Sequence, residues 1–238
     1  VTSCCGSADV LEALGLKLDV PAETVERAIE EVGIGFMFAP VFHPAMKHAV
    51  KPRKEIGIRT VFNILGPLTN PANAETQLVG VYKESLTDPL AKVLLNLGLS
   101  QAMVVHGLDG LDEISTLGRT KISWLRNGGV SSLTIEPEDL GIERASHDAL
   151  QGSSPEENAA TTFRIVNGHC ARNDPRRNII LLNAAAGIVV GGKADSLKAG
   201  LEVAAESIES GAAYSKLVSL VKFTNGDPSR LEELEKIA

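Results

Sequence analysis

Apolar and polar positions follow two different rhythms along the chain. The segment GSADVLEALG (6–15) carries its apolar residues at helical spacing, offers Ser7 or Asp9 as an N-cap and places Gly15 to stop the helix. VPAETVERAIEEVG (20–33) repeats that grammar with Pro21 in the first turn, acids early and Gly33 as terminator. IGFMFA (34–39) is an apolar run without helical period and reads as a short buried strand. HPAMKHAVKPRKEIG then reads as helix broken by Pro52, and RTVFNILGPLTNP ends in a Gly66, Pro67, Asn70, Pro71 cluster expected as loop.

From residue 77 the rhythm becomes regular. QLVGVY (77–82) reads as strand, LTDPLAKVLLNLG (86–98) as helix and AMVVHG (102–107) as strand, a spacing that predicts a parallel βαβ unit with a right-handed crossover. KISWLRNGGVSSLTIEP (121–137) holds two runs around Asn127-Gly128, the signature of an antiparallel hairpin. From 155 onward the pattern is mostly helical: SPEENAATTFRIVNG, DPRRNIILLNAAAGIVVGG, DSLKAGLEVAAESIESG and a last amphipathic stretch ending SRLEELEKIA. These elements predict an α/β fold with a mixed, mainly parallel sheet flanked by helices.

Composition sharpens this picture. Of 238 residues 44% are hydrophobic and only 4% aromatic, a mix suited to helices packed closely on a sheet. A net charge of −7 gives no basic footprint for nucleic acid or an anionic membrane, so neither is an expected partner. No apolar run approaches the roughly 20 residues of a membrane-spanning helix, and no signal segment opens the chain, so a cytoplasmic location is expected. Cys4, Cys5 and Cys170 are odd in number, two of them vicinal, and read as free thiols. A helix signal follows Val1 almost at once, as if the chain begins partway into a structure.

The chemistry-bearing candidates lie in loops. In HGLDGLDEIS (106–115), Asp112 and Glu113 stand side by side after two glycines, at the carboxyl end of a predicted strand, where open α/β sheets place ligands. On a turn both carboxylates can serve one hard cation, and Mg2+ suits them better than Zn2+ because it is held by one or two carboxylates plus substrate phosphates. The same acids would also serve simply to solvate a loop or cap a helix. Arg53, within the cationic group Lys47, Lys51, Arg53 and Lys54, is suited to grip a carboxylate through two parallel hydrogen bonds, or belongs to a solvated helix face. His43 before Pro44 is a helix-entry residue or a pocket donor. Thr2, Ser3 and Ser7 around Gly6 offer hydroxyls and N–H groups to a phosphate, as ordinary caps also do. Walker loops, dinucleotide fingerprints and serine elbows do not occur.

Taken in order, GSADVLEALG, GIGFMFAPVFHPAMKHAVKPRKEIGIRTVFNILGPLTNP, VVHGLDGLDEIS and LNAAAGIVV resemble anthranilate phosphoribosyltransferase over essentially the whole chain. The long middle block and the Asp-Glu pair are the specific parts of that resemblance. It implies the large α/β domain of the nucleoside phosphorylase and phosphoribosyltransferase type. It also implies transfer of a phosphoribosyl group from phosphoribosyl pyrophosphate to the amine of anthranilate, releasing pyrophosphate, in tryptophan biosynthesis. Under it, Asp112 and Glu113 match the magnesium-binding acids, and Arg53 the arginine that binds the anthranilate carboxylate. His43, Ala39 and Pro40 match positions of the aromatic acceptor's pocket, Pro67 falls in the hinge-side loop, and Thr2, Ser3 and Ser7 match the tail of the phosphoribosyl pyrophosphate loop. A homodimer is expected, and no residue is assigned as acid or base.

The chain departs from the family pattern at its start. The Gly-Thr-Gly-Gly-Asp, Asn-x-Ser-Thr and Lys-His-Gly-Asn motifs would precede Val1, and Cys4 replaces a basic residue. The expectation is therefore a fragment: residues 1–238 as the α/β catalytic domain, with 43–56 a helical segment belonging to an otherwise missing small α domain. Two alternatives stay open. One is a pyrimidine nucleoside phosphorylase-like enzyme, which does not share the FNILGPLTNP and GLDEIS combination. The other is a non-catalytic relative that binds nucleic acid or another ligand on the same scaffold.

Overall fold

Apolar residues far apart in sequence gather into two units of the computed structural model, which describes residues 5–43 and 62–237. One unit draws on Val1–Thr60, Gly152–Cys170 and Ser207–Ala238, the other on Val61–Gln151 and Ala171–Glu206.

The regular elements among the first unit's described residues are all helices. Helix Ser7–Ala13 is capped by Gly6, whose N–H donates to the Asp9 carboxylate at 2.8 Å. This corrects the expected cap at Ser7 or Asp9, because an acid three residues into a helix lies over the free N–H at its start. Helix Ala22–Arg27 widens into a π turn over Ala28–Val32 and stops at Gly33, whose φ of +88° favours glycine. Phe163 of helix Pro155–Val166 is fully buried beside Leu14, Leu16, Ala28, Leu220, Val221 and Leu231, and meets the Tyr214 ring edge-on at 5.6 Å.

Residues 34–38 form no strand, against the expectation from their apolar run. A Cβ at Gly35 would lie 2.8 Å from Ile29 Cγ1 and 2.9 Å from Val25 Cγ1, so the segment folds directly back onto the helix before it. Phe36 and Phe38 pack on the helical core, and the apolar run covers helices instead of joining a sheet. A second correction concerns Gly66 and Pro67, expected in loop: helix Phe62–Leu68 runs through both. Proline lacks the N–H for the bond four residues back and crowds that carbonyl, and the helix ends one residue after it.

The second unit holds a four-stranded sheet in the order β1 (Thr76–Gly80), β2 (Gln101–Gly107), β3 (Thr120–Arg126), β4 (Gly129–Ile135). β1 and β2 are parallel, joined through helix Thr87–Asn96 as the spacing predicted, and the Asn127-Gly128 turn has the two positive φ values of a tight hairpin. The sheet is mixed, as expected. Its described pairings are nevertheless one parallel and two antiparallel, because β3 turns back on β2 and the hairpin adds another reversed strand.

Strand alternation divides the core. Ala102 and Val104 of β2 pack with Leu90, Ala91 and Leu94 of helix Thr87–Asn96, whereas Met103 and Val105 pack with Leu182, Ala186 and Val189 of helix Pro175–Val190. A strand covered on both faces reads as an unbroken apolar run, which is why AMVVHG carries no polar alternation.

Asp88 ties helix Thr87–Asn96 to the sheet. Its carboxylate accepts from Lys121 Nζ at 2.7 Å, from Ser123 Oγ at 2.9 Å and from the Ser132 hydroxyl. These donors hold its pKa at about 2. A carboxylate with a lowered folded-state pKa stabilises fully above its ordinary value and loses that contribution as pH falls through the folded one. Urea midpoints should therefore drop between about pH 4 and pH 2 in a component that Asp88→Asn lacks. Asp88→Ala should cost about 1–2 kcal/mol, the low end for charge-assisted bonds because the carboxylate is partly solvated.

Candidate functional site

The loop that follows β2 is built on backbone restraints. The N–H of Gly107 donates to the Leu111 carbonyl at 2.8 Å, that of Gly110 to the Gly107 carbonyl at 2.8 Å, and that of Leu108 to the Arg119 carbonyl at 2.8 Å. Gly110 has φ +106°, a conformation that an L side chain rarely adopts. Asp109 tightens the turn further, its Oδ1 accepting from the Leu111 N–H at 3.2 Å. At the loop's start His106 is buried, and its Nδ1 lies 2.7 Å from the Val81 carbonyl. A carbonyl only accepts, so Nδ1 is the donor in this contact.

Asp112 and Glu113 leave this turn with exposed side chains on a fixed backbone. The Asp112 carbonyl lies against Gly80 at the end of β1, so closely that a Cβ there would fall inside van der Waals contact. Ile114, the next residue after the pair, is fully buried, and both its backbone groups bond to the Asn183 side chain. The Ser115 N–H then donates to Thr120 Oγ1 at 2.9 Å. Glu113 titrates above the ordinary carboxylate range because its carboxyl is partly desolvated and because Asp112 and Asp109 add like charge. A cation bound there would offset the like charge that Asp112 and Asp109 place on Glu113. Among the described residues no three His, Cys, Asp or Glu side chains form a group able to hold a metal ion. That donor set fits Mg2+ completed by phosphate oxygens better than a metal caged by protein alone.

The other expected site residues lie elsewhere. Ala39 and Pro40 open the short helix Ala39–Phe42 of the first unit, and half-buried His43 closes it with its N–H on the Ala39 carbonyl at 2.8 Å. The structure thus brings Ala39, Pro40 and His43 together on one turn. Ser7 is exposed at the first position of helix Ser7–Ala13, and Pro67 is half-buried in helix Phe62–Leu68. Thr2, Ser3, Arg53 and nearly all of the expected 43–56 helix lie outside the described residues.

Sequence reasoning passed over Asp109, Gly80 and Asn183. Asp109 had a signal in the doubled Gly-Leu-Asp of GLDGLDE, and Asn183 one in interrupting the apolar run IILLNAAAGIVV. Gly80 had none, because the residue it meets is 32 positions away. The free thiol expected at Cys5 is found, Cys4 lies outside the described residues, and no described helix is long and apolar enough to cross a membrane.

Residues 1–214 match the family described as "Glycosyl transferase family, a/b domain". The chain is 52% identical over 225 residues to anthranilate phosphoribosyltransferase of Geotalea uraniireducens, covering 94% of itself and 63% of that relative. The chain therefore spans less than two thirds of that relative's length. Among solved structures, anthranilate phosphoribosyltransferase from Thermus thermophilus superposes with a TM-score of 0.86 at 43% identity, covering 94% of this chain and 66% of that one. The Saccharomyces cerevisiae enzyme in complex with PRPP and Mg gives 0.86 at 30% identity, covering 94% and 62%.

Proposed function

The chain belongs to the glycosyl transferase a/b-domain family, and from that premise we propose that its protein transfers the phosphoribosyl group of phosphoribosyl pyrophosphate to anthranilate. The observation that carries this reading is the exposed Asp112–Glu113 pair on a backbone restrained at both flanks, at the carboxyl end of parallel strand β2. The high identity to anthranilate phosphoribosyltransferases supports it.

In the reaction a bond forms between the amine nitrogen and ribose C1, the bond from C1 to the pyrophosphate oxygen breaks, and the amine proton leaves to solvent. The amine is a weak nucleophile, so rate comes from stabilising the leaving group and from aligning the acceptor. Asp112 and Glu113 would hold Mg2+, which when bound offsets charge on the departing pyrophosphate. Arg53 is assigned to the anthranilate carboxylate, and Ala39, Pro40, His43 and Pro67 are assigned to anthranilate binding. Thr2, Ser3 and Ser7 supply hydroxyls to the phosphoribosyl group. The protein works in the cytoplasm as a homodimer, within tryptophan biosynthesis, with 43–56 assigned to its small α domain. The net charge of −7 argues against a nucleic-acid partner.

The test uses the protein at its full encoded length. Anthranilate fluorescence should decay only when phosphoribosyl pyrophosphate and Mg2+ are both present. No decay, or phosphorolysis of thymidine instead, would overturn the reading. Arg53→Ala should raise the KM for anthranilate about 100-fold, the loss of roughly 2.7 kcal/mol from a bidentate charged pair. The KM for phosphoribosyl pyrophosphate should stay near wild type, and an equal rise in both would remove the role given to Arg53.

A further inference from the structure

Asn183 lies within helix Pro175–Val190, where asparagine is a poor helix former. Its side chain reaches a residue 69 positions earlier in the chain. Oδ1 accepts from the Ile114 N–H at 2.9 Å, and Nδ2 donates to the Ile114 carbonyl at 2.8 Å and to the Ile179 carbonyl at 3.0 Å. A carboxamide presents an acceptor and a donor in one plane, so it pairs with both backbone groups of a single residue as an adjacent strand would. Serine, leucine or aspartate in its place would leave at least one of those groups unpaired.

The pinned residue is the one that follows the acidic pair. Ile114 is fully buried among Met103, Val105, Ile122 and Leu182, and Asn183 holds both its backbone N–H and its carbonyl. Upstream, the Asp112 carbonyl is packed on Gly80. Two like charges between two such anchors cannot relax apart by moving the main chain. A metal bound by few protein ligands depends on that spacing, and residues that orient ligands from behind typically control metal affinity by about 10- to 100-fold.

We infer that Asn183 is a positioning residue for the cation and pyrophosphate at Asp112 and Glu113, acting through the backbone of Ile114. This rests on the metal role proposed above for the acidic pair. It adds a residue that touches neither substrate nor metal and lies on a different element of the fold.

Mn2+ binding in the presence of inorganic pyrophosphate, followed by electron paramagnetic resonance on the full-length protein, tests it. Asn183→Ala and the near-isosteric Asn183→Leu should each weaken Mn2+ binding about tenfold and speed hydrogen exchange at the Ile114 amide. Anthranilate affinity should not change. Leucine keeps the side-chain volume that alanine removes, so a folding failure confined to the alanine variant leaves the leucine variant to decide. If both variants bind Mn2+ as wild type does, at temperatures below any lowered melting point, Asn183 serves stability alone and the inference fails. If wild type binds no better than Asp112→Asn/Glu113→Gln, the metal role of the acidic pair fails first and the inference falls with it.

Discussion

Replacing Asp112 with Asn and Glu113 with Gln together is expected to lower Mg2+-dependent affinity for phosphoribosyl pyrophosphate by about 100-fold, roughly 2.7 kcal/mol. Both substitutions keep side-chain size and remove the anionic oxygens that a hard cation requires. The fold should not suffer, because the loop is held by backbone bonds at Gly107, Gly110 and Ile114 that neither side chain makes. Stability should rise slightly. Glu113 titrates high because desolvation and the neighbouring acids disfavour its charge, and the neutral amide removes that penalty. For a group with a raised folded-state pKa the penalty appears as pH climbs from the ordinary value through the raised one, so the gain in urea midpoint should be seen at pH 7 and vanish near pH 4. Calorimetric titration with and without Mg2+ supplies the affinity. Undiminished, metal-dependent binding by the double variant would place the cation elsewhere in the protein.

Gly80→Ala is expected to have the largest effect of any single methyl group added to the described sheet. Its Cβ would collide with the Asp112 carbonyl, which is backbone and cannot rotate away. Either β1 or the acidic loop must move, at a cost of about 3 kcal/mol, the upper part of the usual range for overpacking. Since the clash falls on Asp112 itself, Mg2+-dependent binding should fall along with stability, which separates this substitution from ordinary core damage. Gly187→Ala is the control, for nothing lies within 4 Å of a Cβ at that position. Denaturant unfolding and pyrophosphate titration of the two variants would show the difference. Equal stabilities would mean that the close approach of β1 to the loop has no energetic weight.

Much of the fold was legible because its signals act within a few residues. Ser154 and Asp174 cap helices Pro155–Val166 and Pro175–Val190 from the positions that Ser-Pro and Asp-Pro mark, with Glu157 and Arg176 N–H groups as donors. Asn127-Gly128 forms its hairpin because the dipeptide tolerates positive φ at both residues. Period and composition alone could not show that Phe36 and Phe38 cover helices instead of joining a sheet, since an apolar run is equally suited to either. Nor could they show that Pro67 ends a helix from within, because a proline's tolerance depends on how much helix precedes it.

The candidate site divides in the same way. The adjacency of Asp112 and Glu113, the glycines that turn the chain before them and the strand that delivers them are local, and all three can be read from the residue order alone. Their restraint is not local. Gly80 and Asn183 lie 32 and 69 residues from their partners, and no residue type announces which distant carbonyl it will meet. The same holds for the two units, each assembled from separated stretches of chain. Local signals choose backbone angles, which a residue and its neighbours settle among themselves. Which backbone groups are left for a distant side chain to satisfy is set by packing in three dimensions, because buried N–H and C=O groups must be paired wherever the topology brings a partner.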